Sequence, residues 1–200
     1  ATTWDQNRQS LYPIRRVLIS DAQTFTDDVR LSFSINANNN RPFLINYVGE
    51  FLLNSFTYFV TSQRHDFARN DPAENRYHSK LNRVCHDADN FDAFTEITIE
   101  CQGIDGDSYN LVQAAYLGEA GSDLASSVGV DPGEDVLYVV FARSINEEGD
   151  EPSNRSALCV FKLDEIEQAF IDAIVECFMV RDSINEIMYL HGGDCTGTNV

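Results

Sequence analysis

Apolar positions in this chain gather into short blocks of strand length, divided by polar segments rich in glycine, asparagine, aspartate and serine. The clearest set lies between Tyr109 and Cys159. There Tyr109 to Leu117, Val136 to Ala142 and Ala157 to Leu163 are rich in β-branched and aromatic residues, as strands are. Gly118, Gly121, Gly129 and the turn Asp131-Pro132-Gly133 separate the first two runs and predict a loop with at most one helical turn, around Leu124. Returns this short predict antiparallel neighbours rather than parallel strands joined by crossover helices.

Upstream, Ile14 to Ile19 and Val29 to Ile35 predict a pair of strands. After the turn cluster Asn36 to Pro42, four more are predicted at Phe43 to Val48, Phe56 to Thr61, Lys80 to Cys85 and Phe94 to Ile99. The second of these is apolar enough to be central. The fourth mixes polar and apolar positions and suits an outer strand. The three runs from Tyr109 onward repeat the order of the first three in this set, with Cys85 and Cys159 each on a third strand. Four-stranded sheets recurring at roughly 65 to 75 residues predict β-propeller blades, because each small sheet buries a face only against its neighbours. An immunoglobulin-like sandwich would need a Cys, Trp, Cys pattern, and the single tryptophan is Trp4. The expected fold class is therefore all-β, built of β-propeller blades. Residues 12–42 form part of a blade, 43–101 a complete four-stranded blade and 109–200 the following one. One segment departs from the β pattern. Residues 164–180 place Ile166, Phe170, Ile171, Ile174, Val175 and Phe178 at helical spacing, with Asp164 able to cap and Glu167 three positions on. An amphipathic helix docked on its own domain is expected there, as an insertion in the last blade.

Charge narrows the partners. Against 14 Lys and Arg stand 32 Asp and Glu, a formal charge of −18, which repels phosphate backbones and anionic membrane surfaces. Neither nucleic acid nor direct membrane contact is expected. No run reaches the roughly 18 apolar residues of a membrane span, and the first residues lack the pattern of a signal peptide. The five cysteines, Cys85, Cys101, Cys159, Cys177 and Cys195, contain no CxxC pair, which argues against a zinc site; two disulfides with one cysteine left over is the simplest account. Asn154-Arg155-Ser156 is the one N-glycosylation sequon, placed by the sequence in a polar loop between two strands.

Catalytic patterns are missing. His65, His78, His86 and His191 form no HExxH or HxH, and neither a nucleophile elbow nor a phosphate-binding or dinucleotide-binding glycine motif occurs. Asp87, Asp89, Asn90 and Asp92 resemble half a calcium loop, but Phe91, Asp92 and Thr98 stand where a ligand, a glycine and a bidentate acid are needed. A polar turn is expected instead. No catalytic residue, metal or cofactor is expected, and an enzyme is not. The acidic residues leave a secreted hydrolase as the catalytic alternative, which would require convergent carboxylates in a cleft. An extracellular adhesion module is the structural one.

The stretch Tyr109 to Leu117, with Gly121 and Leu124-Ala125 after it, Asp135-Val136-Leu137 opening the next strand and Ser156 to Cys159 in the one after, resembles the Sema domain of plexins. Phe56 to Thr61 and Leu81 to Cys85 are similar to strands of that family's preceding blade, and the likeness spans roughly Phe43 to Cys195. The related hepatocyte growth factor receptor shares much of the pattern, including an Arg-Ser-Ala seen here as Arg155 to Ala157, but its basic processing run is missing between Gln102 and Ser108. The resemblance implies a seven-bladed propeller, of which residues 1–200 supply a part of about three blades, in the ectodomain of a single-pass receptor, at the outer face of the plasma membrane. The implied function is recognition of a semaphorin by protein contact in guidance and cell-migration signalling, with self-association of the receptor as a further contact; a growth-factor receptor tyrosine kinase is the alternative. It implies disulfides Cys101 to Cys159 and Cys177 to Cys195, with Cys85 bonded to a partner outside this chain. The family's ligand face points to Asp28 and to Thr196 and Gly197.

Overall fold

A computed structural model describes residues 15–21, 24–32, 45–64, 76–85, 94–104, 106–146 and 149–179. Every strand pairing among them is antiparallel. β1 (Arg15–Asp21) and β2 (Thr24–Ser32) form a two-stranded sheet. β3 (Ile45–Leu53), β4 (Phe56–Arg64), β5 (Tyr77–Cys85) and β6 (Thr95–Ile99) form a four-stranded sheet in sequence order, with β4 central and β6 outermost. A short ribbon of β7 (Cys101–Gln102) and β8 (Ser108–Tyr109) leads into β9 (Leu111–Glu119), β10 (Asp135–Ser144) and β11 (Pro152–Lys162), ordered β11-β10-β9. Two helices complete the described chain, α1 (Ser122–Val128) and α2 (Leu163–Met179).

Alternation along the strands fixes which faces meet. Val60, Leu81 and Ile97 stand in one row across β4, β5 and β6, and Ala115, Val139 and Cys159 in one row across β9, β10 and β11. These two faces pack together, with Tyr58, Ile99, Val112, Leu137 and Phe141 filling the layer between them. Two side chains of α2, Ile166 and Phe170, enter the same core. Neither sheet alone hides both its faces, so stacking is what stabilises each.

Three expectations need correction. The β9–β10 connection holds a seven-residue helix, α1, in place of a single turn. Its serines are modest helix formers, but Ala125 is fully buried against Ala120 and Val136, and tertiary burial outweighs propensity. Gly129, at φ 77°, then ends the helix by donating its N–H to Ala125 O, a conformation that costs a β-carbon dearly. Asp164 does not cap α2. The helix begins at Leu163, directly from β11, and Asp164 Oδ1 accepts from Glu165 N within the first turn. Finally, β11 starts at Pro152, so Asn154 lies on a strand and not in a loop.

Candidate interaction surface

The joint between the two large sheets is polar at one end. Ser79 on β5 donates its hydroxyl to Asn110 O at 2.7 Å and accepts from Val112 N at 2.7 Å. Asn110 in turn donates Nδ2 to Tyr77 O at 2.8 Å, and its Oδ1 accepts from Ser144 N and Oγ, each at 3.2 Å. One asparagine between β8 and β9 thus ties β5 to β10. It also explains why the predicted run from Tyr109 divides there, Tyr109 closing the ribbon and Leu111 opening the sheet.

At the other end α2 crosses from its own sheet onto the preceding one, lying chiefly against β6. The guanidinium of Arg83 sits 4.5 Å from the Phe56 ring centroid and 4.3 Å from that of Phe170, and Nη1 meets Glu167 Oε2 at 2.7 Å. Tyr58 presents its edge to Phe170 and stacks on Phe51 at 4.9 Å. A buried cation between two rings, capped by a carboxylate, is a directional fastening, and it locks α2 to β4 and β5.

The second face of the β3–β6 sheet is polar and buried. Lys80 Nζ lies 3.2 Å from Glu96 Oε1, with side chains 0% and 1% exposed. Beside them Thr61 Oγ1 accepts from Asn82 Nδ2 and donates to Gln63 Oε1. Burial, and then the Glu96 charge, push the Tyr47 phenol well above its ordinary 10.0, so it stays neutral. Glu96 reads in the sequence as one side of a two-sided outer strand; here it is buried, with Lys80 as a partner.

The opposite outer face, on the β9–β11 sheet, is apolar; α1 packs over its Val136 end, against Tyr138 and Val160, and the part beyond is open. Tyr116, Tyr138 and Val160 share one row, and Ala114, Val140 and Leu158 the next. Tyr116 is 70% exposed and Leu158 62%. A contiguous exposed apolar face marks a surface that another element covers. At one end of this sheet Lys162 bonds Glu165, and that bond first, with the nearby Asp164 and Glu134 charges, raises its pKa.

Among the predicted site residues, Cys101 and Cys159 are joined by a disulfide, with Cα atoms 5.9 Å apart. Cys85 is a free thiol, half-buried at the end of β5. Cys177 falls on α2, while Cys195, Thr196 and Gly197 lie outside the described residues. The backbone of Asp28 is on β2, opposite Arg16. Asn154 is exposed. Residues 87 and 89 to 92 of the proposed polar turn lie outside the described residues, and no cluster of three or more metal-ligating side chains occurs among those described. Sequence reasoning missed Arg83, Asn110 and the Lys80–Glu96 pair. The only signal for them is a polar residue within a run predicted as a strand.

Comparison with known proteins converges on one group. Residues 112–199 match the family described as the Sema domain. The chain is 38% identical over 143 residues to Plexin-A4 of Danio rerio and 34% identical over 138 residues to Plexin-A4 of Homo sapiens. Each alignment covers 68% of this chain and 7% of the relative, so the chain spans a small part of the curated proteins it matches. A solved structure of the Plexin A4 full extracellular region, domains 1 to 8, superposes with a TM-score of 0.64 at 29% identity, covering 86% of this chain and 19% of that one.

Proposed function

Because this chain is part of a Sema domain of the plexin family, built from stacked β-propeller blades, we propose that it serves as a ligand-binding segment of a cell-surface receptor ectodomain, recognising a semaphorin-type protein by surface contact. The observation that carries this is the superposition on a plexin extracellular region over most of the chain. The segment acts without catalysis, as a rigid module. Its inner faces are occupied by blade stacking, through the Val60 and Val139 rows and the Arg83 fastening, so ligand contact falls to loops, edges and rims.

Within this reading Asp28 and the segment holding Thr196 and Gly197 contribute to the ligand face. Cys177 pairs with Cys195, and Cys85 with a cysteine outside this segment. The open face with Tyr116 and Leu158 is where a propeller seats its next blade.

The test is binding of a panel of semaphorin ectodomains to the immobilised full ectodomain, measured by surface plasmon resonance. Saturable binding to at least one member, weakened by Asp28→Arg with the disulfides intact, is expected. Absence of binding by a folded, monodisperse receptor refutes the ligand assignment; undiminished binding by the Asp28 variant removes that residue from the face.

A further inference from the structure

Two exposed isoleucines stand at adjoining turns, and blade stacking uses neither. Ile104 sits in the turn of the β7–β8 ribbon at 111% relative exposure, and Ile145, 55% exposed, opens the return from β10 to β11. Turns ordinarily carry polar residues, and one isolated apolar side chain on a surface would need no explanation. Here two are neighbours. Asp107, in the ribbon turn, holds Arg143 of β10 at 3.1 Å and also Arg155 of β11, and Ser144 N donates to Asn110 Oδ1 directly after β8. These bonds bring the ribbon turn beside the end of β10 that leads into Ile145.

Both turns are fixed by their own bonds. The Cys101–Cys159 disulfide anchors the base of the ribbon. In its turn Gly103 N donates to Asp107 O at 2.8 Å and Gly106 N to Gly103 O at 2.9 Å, with Gly106 at φ 80°. In the other turn Ile145 N donates to Glu151 O at 2.9 Å and Gly149 N to Asn146 O at 3.0 Å. An apolar side chain on a fixed base gives up little freedom when a partner covers it, so more of its burial appears as affinity. The surroundings are acidic. Glu100, Asp150 and Glu151 are exposed on these turns and at their bases, while the two arginines are engaged in holding Asp107.

We propose that Ile104 and Ile145 form an apolar contact with the protein ligand, seating against a surface whose rim carries lysine or arginine. The inference rests on the ligand-binding reading and names a part of the surface which that reading leaves open. Burial of the two side chains supplies affinity, and the acidic rim speeds encounter with a basic ligand. A second copy of this chain fits worse. It carries the same formal charge of −18, and a self-complementary contact here would set these carboxylates against one another.

The test applies the same panel of semaphorin ectodomains to variants of the full ectodomain, by surface plasmon resonance. For a semaphorin that binds the wild type, Ile104→Asp should raise Kd about tenfold or more, chiefly through faster dissociation. Ile145→Ser should raise it by about threefold or more, and Ile104→Leu should leave it within about threefold. Glu151→Lys should slow association and flatten its dependence on salt. Thermal midpoints of the isoleucine variants should match the wild type, since both side chains are exposed. Wild-type affinity in both Ile104→Asp and Ile145→Ser overturns this contact and leaves the ligand reading standing. A folded wild type that binds no member of the panel overturns the reading and the contact with it. Loss of self-association by Ile104→Asp in sedimentation velocity, with semaphorin binding unchanged, makes a second copy the occupant and overturns the proposal. Faster association of Glu151→Lys refutes the basic rim.

Discussion

Removing the carboxylate of Glu167 should loosen α2 by more than an ordinary surface ion pair would. Arg83 is buried between the rings of Phe56 and Phe170, whereas the Glu167 side chain is 49% exposed. Glu167→Ala therefore strands a buried cation while losing a half-solvated anion. A hydrogen bond to a charged group contributes about 1.5–3 kcal/mol, and solvent screening of Glu167 reduces this to about 1–2 kcal/mol. Arg83→Met removes the charge but keeps an apolar stem between the rings. It forfeits ring contacts of about 1 kcal/mol each and relieves a desolvated cation, for a net cost below about 1.5 kcal/mol. Hydrogen exchange of the α2 amides in the intact ectodomain reads the undocking directly. Glu167→Ala should lower their protection about 5- to 30-fold. Introduced together with Arg83→Met, it should add no more than about 0.5 kcal/mol. If Glu167→Ala costs the same in both backgrounds, the carboxylate acts on the helix by itself and the fastening through Arg83 is wrong.

The disulfide and the buried polar face make three further predictions. Cys159→Ser opens a loop spanning a sequence separation of 58 and should lower stability by roughly 4 kcal/mol on the chain-entropy account, seen as a lower thermal midpoint and poor secretion. Lys80→Met removes a cation 3.2 Å from the buried Glu96 carboxylate and should cost about 3–5 kcal/mol, while adding Glu96→Met should recover at least half of that; denaturant midpoints decide, and no recovery would mean the two do not act as a pair. Tyr47 has its folded pKa raised above 10.0 by burial and by Glu96. Its contribution is thus whole below the unfolded pKa and is lost as pH rises above about 10, where the unfolded chain ionises first. Ultraviolet absorbance should show no Tyr47 phenolate before unfolding, and Tyr47→Phe should flatten this part of the alkaline stability curve.

The apolar runs located most described strands because each sheet buries at least one face, and burial leaves its mark as β-branched and aromatic residues. The ends escaped for the same reason. β4 continues past Thr61 through Ser62 and Gln63, and β5 begins three residues before Lys80, at Tyr77. On β5, Ser79 is buried through bonds to Asn110 O and Val112 N across the joint between the sheets, and Asn82 through bonds to Phe59 O and Thr61 on β4. Such partnerships depend on residues 20 or more positions away, which a local pattern does not register. Of α1 only a turn around Leu124 was legible, because the helix's stability resides in Ala125 against Val136 and not in its serines. Of the candidate site residues, Cys101 and Cys159 were paired only through resemblance. Arg83 looked like one more polar position on a strand, since its two rings come from different elements.

The bond between Cys101 and Cys159 also sets how this segment responds to tension. Under a pull on its two ends the polypeptide cannot pay out the enclosed segment, so about 200 Å of extended length is withheld. β8, β9, α1, β10 and the part of β11 up to Cys159 lie inside that closed loop and are not drawn out while the bond holds, whereas β1 to β6, the end of β11 and α2 lie outside it. The segment thus has a sacrificial part and a protected part, and single-molecule stretching before and after reduction would show the difference as a step in released length.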